Sequence, residues 1–425
     1  MKKKFLFILP WLPYPLKSGG HQAIYNGIKA ISNDYHIIIT YPTDEISHKQ
    51  DICKKFISTI NNNIIIEPLI IKETKRGFFQ YIIHILHIIL WNIKQFILAK
   101  IKTTNQNNND VNISYKNWIE ELLPKDEIYL RHINHLISKY NIDLIQCEML
   151  GNCSIVTNIP VDIKKVFVHH EIGFIRNQQE LITLTPNSKQ GKAFLESKKI
   201  LEIGLLNQYN SIITLSELDK NILEKNGVKV PIHPSIAITE NNYTYKNESN
   251  SSHTLTFVGP EFHTPNALGI NWFLNNCWHI LKENDSSYVL NIIGNWSDIT
   301  KSTISKTYKD IHFLGYVDDL SEALRNTIMI VPITIGSGIR MKILEAASIG
   351  VPIVTTTIGV SGIMLENEYH CYISDIPQDF VNSIIKLKNK ETRLKMIERS
   401  YNLISNNYSI QALRENRLAI YNSLF

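Results

Sequence analysis

Short β-branched and aromatic runs alternate with longer stretches of helical period along most of this chain. Phe5–Leu9 is the first such run and predicts a buried strand. A Gly-Gly loop follows, then the helical pattern "HQAIYNGIKAIS" and a second β-branched run, His36–Thr40. The same order recurs further on. "DLIQCEM" follows a helix ending near Tyr140, and "KKVFVHH" follows a turn at Pro160–Asp162. A helical stretch over Lys192–Leu206 then leads to "SIITLS", Ser211–Ser216. Continuous apolar strands alternating with helices predict an α/β sheet that is parallel and doubly wound.

The pattern breaks at residues 241–253, "NNYTYKNESNSSH", which is polar and almost free of aliphatic side chains. It then resumes. "TLTFVG", "YVLNIIG", "IHFLGYV", "IMIVPI" and "PIVTT" read as strands, and "NALGINWFLNNCWHIL" as a helix after the first of them. Three helical pieces close the chain: Gln378–Lys388, Lys390–Ile404 and Ile410–Leu424. The expected division is a first domain at 1–240, a linker at 241–253 and a second domain at 254–404. The last helix, about 405–425, is expected to pack back on the first domain. Two such domains place a central cleft between the carboxyl ends of their sheets, where open α/β sheets bind ligands.

"PITIGSGIRMKILEAASIGVPIVTTTIGVSGI", from Pro332, sets an Arg, a Lys and a Glu among apolar residues. "IGSG", with Gly336, Ser337 and Gly338, reads as a loop, and "IRMKILEAASI", from Ile339, as a helix that Gly350 and Pro352 stop. The amides of Ser337, Gly338 and Ile339 are the candidate donors to a sugar or phosphate. A glycine-rich turn entering a helix leaves N–H donors unpaired at the positive end of the helix dipole, which suits phosphate. Glycine lets a ligand approach the backbone. The spacing of Gly338, Lys342 and Glu345, four and three residues, puts them on one predicted helix face. Lys342 offers a point charge to a phosphate and Arg340 a forked contact. Glu345 can accept from sugar hydroxyls. The plainer reading is a Lys342–Glu345 salt bridge on an exposed helix, but too little of this helix is polar for that.

Composition narrows the class without naming it. The chain has 425 residues, 44% of them hydrophobic, and a formal charge of +5. That balance is weaker than a dedicated nucleic-acid binder shows and suits an anionic ligand or an anionic membrane surface. Its five cysteines are scattered without Cys-x-x-Cys spacing, which argues against a zinc site or a disulfide framework. "MKKKFLFILPWLPYP" has a signal-like start, but Pro10 and Pro13 interrupt it and no small-residue cleavage site follows. The longest apolar tract, Phe78–Ile101, carries Gln80, His84, His87, Asn92, Lys94 and Gln95, too polar for a membrane span. Its basic flanks suit an interfacial helix on an anionic membrane; a core helix of the first domain is the equal alternative.

These blocks together resemble family-4 retaining glycosyltransferases of the GT-B fold. The match runs through Gly336, Gly338, Arg340, Lys342, Leu344–Glu345–Ala346, Gly350 and Pro352, then "IVTT". "TFVGPEFHTPNALGINWFL", "SGGHQAIYNGI", and "HHEIGFIR" with "LSELDKNIL" are similar to further family blocks, in the expected order. The resemblance implies two Rossmann-like domains and transfer of a sugar, with retention, from a UDP- or GDP-sugar to a glycan or lipid-linked acceptor. It implies that Glu345 binds the ribose. It also implies that Gly19 and Gly20 approach the donor diphosphate or the acceptor, and that His170 lies near the donor sugar. His169 is the rival for that place, and Arg176 is a second basic group facing the cleft. It suggests work without a metal or other cofactor, in cell-surface polysaccharide synthesis, in the cytoplasm or peripherally on the inner face of the membrane.

The sequence also departs from the family. Ser337 stands where many members carry a glutamate that contacts the donor sugar, and "GPEFHTPN" lacks the usual Arg and Lys. Arg340 and Lys342 are the expected replacements. The alternatives are a GT-B sugar-nucleotide epimerase and a non-catalytic nucleotide-sugar binder. A dinucleotide-dependent oxidoreductase fits less well. The Gly-Gly loop lacks the full fingerprint, and Asp34 follows Gly20 by about 14 residues, short of the ~20 expected.

Overall fold

Seven parallel strands form the first sheet, in the order β4-β2-β1-β6-β7-β8-β9. They are β1 (Lys4–Ile8), β2 (His36–Thr40), β4 (Ile64–Ile66), β6 (Leu144–Glu148), β7 (Lys164–His169), β8 (Ser211–Thr214) and β9 (Ile232–Pro234). The computed structural model describes residues 2–16, 18–44, 50–61, 63–71, 114–239 and 253–425. The Phe78–Ile101 tract and nearly all of the polar stretch 241–253 lie outside the described residues.

Alternation along β1 explains why this sheet is buried on both faces. Phe5 and Phe7 pack with helices Gly19–Ile31 and Ile410–Asn422. Leu6 and Ile8 point the other way, into a cluster with helices Glu127–Tyr140 and Lys189–Leu206. Side chains start these helices where the sequence supplies them. Ser18, Asp126, Ser188 and Ser409 each accept from a backbone N–H of the first turn.

The second sheet has six parallel strands, ordered β12-β11-β10-β13-β14-β15. These are β10 (Thr254–Val258), β11 (Val289–Ile293), β12 (Ile311–Gly315), β13 (Ile328–Val331), β14 (Ile353–Thr355) and β15 (Tyr372–Ile373). In both sheets the order of strand addition reverses at a central strand. β1 lies between β2 and β6, and β10 between β11 and β13. The crevice at such a switch point is where this class of sheet takes ligands.

The C-terminal helix Ile410–Asn422 lies against Gly19–Ile31 and the first sheet. Arg414 clasps Asp34 with two bonds, Nε at 3.0 Å and Nη2 at 2.6 Å. Tyr421 meets the ring of Phe5 edge-on at 5.2 Å, and Phe5 stacks on Tyr35 at 4.1 Å. A small two-stranded sheet pairs β3 (Pro42–Asp44) with β5 (Leu69–Ile71). Among the described residues, no helix is long and apolar enough to cross a membrane.

Candidate active site

Residues 332–340 carry the chain from β13 into the helix Met341–Ser348. Two glycines make that crossing possible. Gly338 has φ of 75°, and a Cβ there would lie 2.3 Å from the carbonyl oxygen of His170. Gly336, at φ 127°, would place a Cβ 2.8 Å from Arg340 Nη2. The loop thus presses its main chain against the end of β7, at a distance and a φ that only glycine meets without strain.

Part of the loop is already engaged by the first sheet's elements. The Gly336 amide donates to Gln179 Oε1, and Ser337 Oγ donates to the carbonyl of Ile172 at 3.0 Å. No described group accepts from the amides of Ser337, Gly338 or Ile339. They precede a helix whose cap residue, Arg340, gives no side-chain cap. The observed helix begins at Met341, so Gly338 lies outside it. The expected single face of Gly338, Lys342 and Glu345 is corrected to a loop residue followed by two helical ones.

The three charges are not paired with one another. Arg340 Nη1 donates to the Gly338 carbonyl, while Nη2 is buried with no partner. Burial lowers its pKa, against the charges of Glu171 and Asp219. Lys342 Nζ donates to Asn266 Oδ1 at 2.9 Å and stands 4.5 Å from the centre of the Phe257 ring. Burial, then the Arg340 charge, pushes the Lys342 ammonium down to about 7, with Glu345 opposing. Glu345 Oε1 accepts from Gln22 Nε2 at 2.6 Å. Burial raises its pKa, and Gln22 and then Lys342 hold it back. Lys342 and Glu345 keep some exposed surface while protein encloses them deeply, as side chains lining a recess do.

The first sheet supplies the opposite wall. Gly19 and Gly20 form the first turn of helix Gly19–Ile31, with Ser18 as its cap. A Cβ on Gly19 would lie 2.7 Å from Met341 Cγ, so this turn abuts the start of the Lys342–Glu345 helix. His170 follows the last residue of β7, and its Nε2 is 2.5 Å from Glu148 Oε2. Its neighbour points elsewhere. Val166 and Val168 face one side of the sheet, Phe167 and His169 the other. His169 is buried there, with Nε2 3.1 Å from Glu202 Oε1. The alternation sets the two histidine rings on opposite faces, His170 toward Glu148 and His169 toward Glu202, and the His170 carbonyl meets the loop. Arg176 is also engaged: Nη1 donates to Glu171 at 2.8 Å and Nη2 to Glu121 at 3.3 Å. It is a cation paired with two carboxylates.

Several residues at this junction escape a linear reading. Gln22 reaches Glu345, and its Oε1 is buried without a partner. Gln22 lies three positions after Gly19, on the same side of the helix, which was the available signal. Gln179 meets the Gly336 amide. Asn266 links Lys342 to the Pro260 carbonyl at 2.9 Å. His263 feels the charges of Glu171, Lys342, Arg340 and Arg176; burial holds its imidazole below the usual range, with Glu171 opposing.

Comparison with known proteins gives this arrangement its context. Residues 252–390 match the family described as Glycosyl transferases group 1. No curated protein sequence matches the chain. Among solved structures, it is similar to S. aureus TarM bound to Fondaparinux, alpha-GlcNAc-glycerol and UDP. Identity is 14%, with 99% of this chain and 100% of that one covered, at a TM-score of 0.68. Anabaena HepE in complex with UDP aligns at 11% identity, 100% coverage of both chains and a TM-score of 0.65. Sucrose-phosphate synthase from Thermosynechococcus elongatus aligns at 11% identity over 100% of this chain and 99% of that one, TM-score 0.68. The fold is GT-B, and residues 252–390 form a glycosyl transferases group 1 domain.

Proposed function

From a glycosyltransferase on the GT-B fold, we propose an enzyme that moves a sugar, with retention, from a uridine diphosphate sugar to a glycan or lipid-linked acceptor. One observation carries the reading. A buried guanidinium nitrogen of Arg340 without a partner, Lys342, and unpaired loop amides stand together at the start of one short helix. That set suits a pyrophosphate. Uridine is favoured over guanosine because TarM and HepE, on the same fold, are described with UDP.

In this reading the diphosphate sits over the amides of Ser337–Ile339, between Arg340 and Lys342. Negative charge grows on it as the glycosidic bond breaks, and fixed cations stabilise that charge without reorganising. Glu345 exchanges its bond from Gln22 for the ribose hydroxyls. Gln22 Oε1, buried and unpartnered, accepts a hydroxyl from the same ligand. His170 lies where the sugar would project, past the loop that touches its carbonyl. The departing phosphate assists in deprotonating the acceptor, on the same face that the donor leaves. With the two cations supplying the charge, the transfer needs no metal. Gly19 and Gly20 bring the first domain, residues 1–240, against the second, 254–404. The site of action is the cytoplasm or the inner face of the membrane, in polysaccharide synthesis.

A thermal-shift screen against UDP-, GDP-, ADP- and dTDP-sugars tests the donor class. A UDP-sugar at about 100 times its Kd should add about 2.7 kcal/mol of stability. A screen in which GDP-sugars alone stabilise the chain would overturn the uridine assignment, and one with no stabilising nucleotide would overturn the site.

A further inference from the structure

Behind His170 runs a line of buried hydrogen bonds that ends on the C-terminal helix. Glu148 Oε2 lies 2.5 Å from His170 Nε2. Glu148 Oε1 accepts from Gln146 Nε2 at 2.6 Å. Gln146 Oε1 accepts from the Tyr421 hydroxyl at 2.6 Å. Glu148, Gln146 and Tyr421 are 3%, 2% and 1% exposed, so no water competes for these groups. The period of two along β6 puts Gln146 and Glu148 on one face, the face that Tyr421 covers.

The donors and acceptors fix one direction along this line. A carboxylate only accepts, so His170 Nε2 carries a hydrogen and the Gln146 amide turns its NH2 toward Glu148. The Gln146 carbonyl then faces Tyr421, which must donate. Each choice requires the next, and the Tyr421 hydroxyl is the terminal donor that closes the set. Arg417, one turn earlier on the same helix, is 3% exposed; burial pushes the Tyr421 hydroxyl up to about 12, with Arg417 holding it back and Glu148 adding to the rise. The ring is held by packing as well, edge-on to Phe5 and to Tyr35.

We propose that Tyr421, Gln146 and Glu148 are positioning residues that hold His170 as its Nε2–H form, with Nδ1 as the acceptor left for substrate. Nδ1 has no protein partner among the described residues. The inference rests on the reading of His170 given above only for its consequence in turnover; the tautomer stands separately. A helix that follows the second sheet in sequence thereby sets the ring orientation of a residue on the first.

The test uses the full chain labelled with 15N-histidine, with His170 assigned by its loss in His170→Asn. The wild type should show the Nε2–H pattern for His170, and Tyr421→Phe should move its ring nitrogens toward tautomer averaging. Tyr421→Phe keeps the ring and its packing, so a thermal midpoint near wild type accompanies the change. Gln146→Glu, which sets a second carboxylate beside Glu148, should move the same signals further. Unchanged His170 nitrogens in Tyr421→Phe and Gln146→Glu would overturn the proposal. UDP release from UDP-glucose, with water as acceptor, is read in parallel and should fall about tenfold in Tyr421→Phe with KM unaltered. If His170→Asn leaves UDP release intact while Tyr421→Phe still moves the tautomer, the positioning stands and the placing of His170 beside the donor sugar fails.

Discussion

Gln22 Nε2 donates to Glu345 Oε1 at 2.6 Å, joining two residues 323 positions apart in the chain. The bond crosses from the first helix of one sheet to the glycine-loop helix of the other. It partly offsets the cost of burying the Glu345 carboxylate, whose pKa burial drives up.

Gln22→Ala leaves Lys342 alone to hold the Glu345 carboxyl down. Its pKa should climb further, so the acid limb of UDP affinity moves to higher pH. The sign follows from linkage. A carboxyl raised above its unfolded value binds more protons when folded, so stability falls as pH rises through the gap between the two values. Calorimetric titrations of UDP between pH 5 and pH 8 check this, and an acid limb identical to wild type would count against it.

Lys342 behaves in the opposite sense. Its ammonium is pushed down to about 7, whereas an unfolded lysine titrates near ~10.4. Between those values the unfolded chain binds more protons, so this group makes stability rise with pH across that window. A diphosphate recharges the amine, so UDP binding at pH 8.5 should take up close to one proton. Lys342→Met should abolish the uptake. Titrations in two buffers of different ionisation enthalpy measure it, and equal uptake in both proteins would refute the role.

Gly338→Ala places a methyl where the His170 carbonyl already stands, 2.3 Å away, at a φ of 75°. The backbone strain alone costs about 1–2 kcal/mol. The loop must also retreat from the first sheet, so UDP affinity should fall at least tenfold. Gly27→Ala, with open space at its Cβ, is the control and should match wild type. Equal UDP affinity in the two variants would show that the close approach is dispensable.

Arg340→Ala removes the buried guanidinium whose Nη2 has no protein partner. Loss of a preorganised group opposite developing charge costs about 3 kcal/mol, roughly 150-fold in rate. Arg340→Lys keeps a charge but not the fork, and should recover only part of this. UDP release from a UDP-sugar under saturating donor reads both. A full recovery by lysine would argue for charge alone.

The strands were legible because buried parallel strands print themselves as unbroken β-branched runs. His36–Thr40 appears in the structure with the bounds read from sequence. Phe5–Leu9 and Ile410–Leu424 shift by one or two residues, to Lys4–Ile8 and Ile410–Asn422. The pair Pro42–Asp44 and Leu69–Ile71 was not legible, since three residues are too few to carry a period. The loop at Gly336–Ile339 announced itself through its glycines. Its partners did not, because Gln179, Ile172 and the His170 carbonyl come from remote segments. The pleat of β7 needed the sheet itself: only the burial of Val166 and Val168 on one face and Phe167 on the other separates His169 from His170. Charge pairing was equally hidden, since Glu121, which binds Arg176, lies 55 positions away in the chain.

In the proposed donor site, unpaired amides, one guanidinium and one lysine together grip a nucleoside diphosphate. Calorimetric titration of UDP into the wild type, Lys342→Ala and Glu345→Ala tests it most directly. The wild type should bind, and each variant should lose at least tenfold in affinity while keeping its thermal midpoint within a few degrees. Unchanged affinity in both variants would contradict the account.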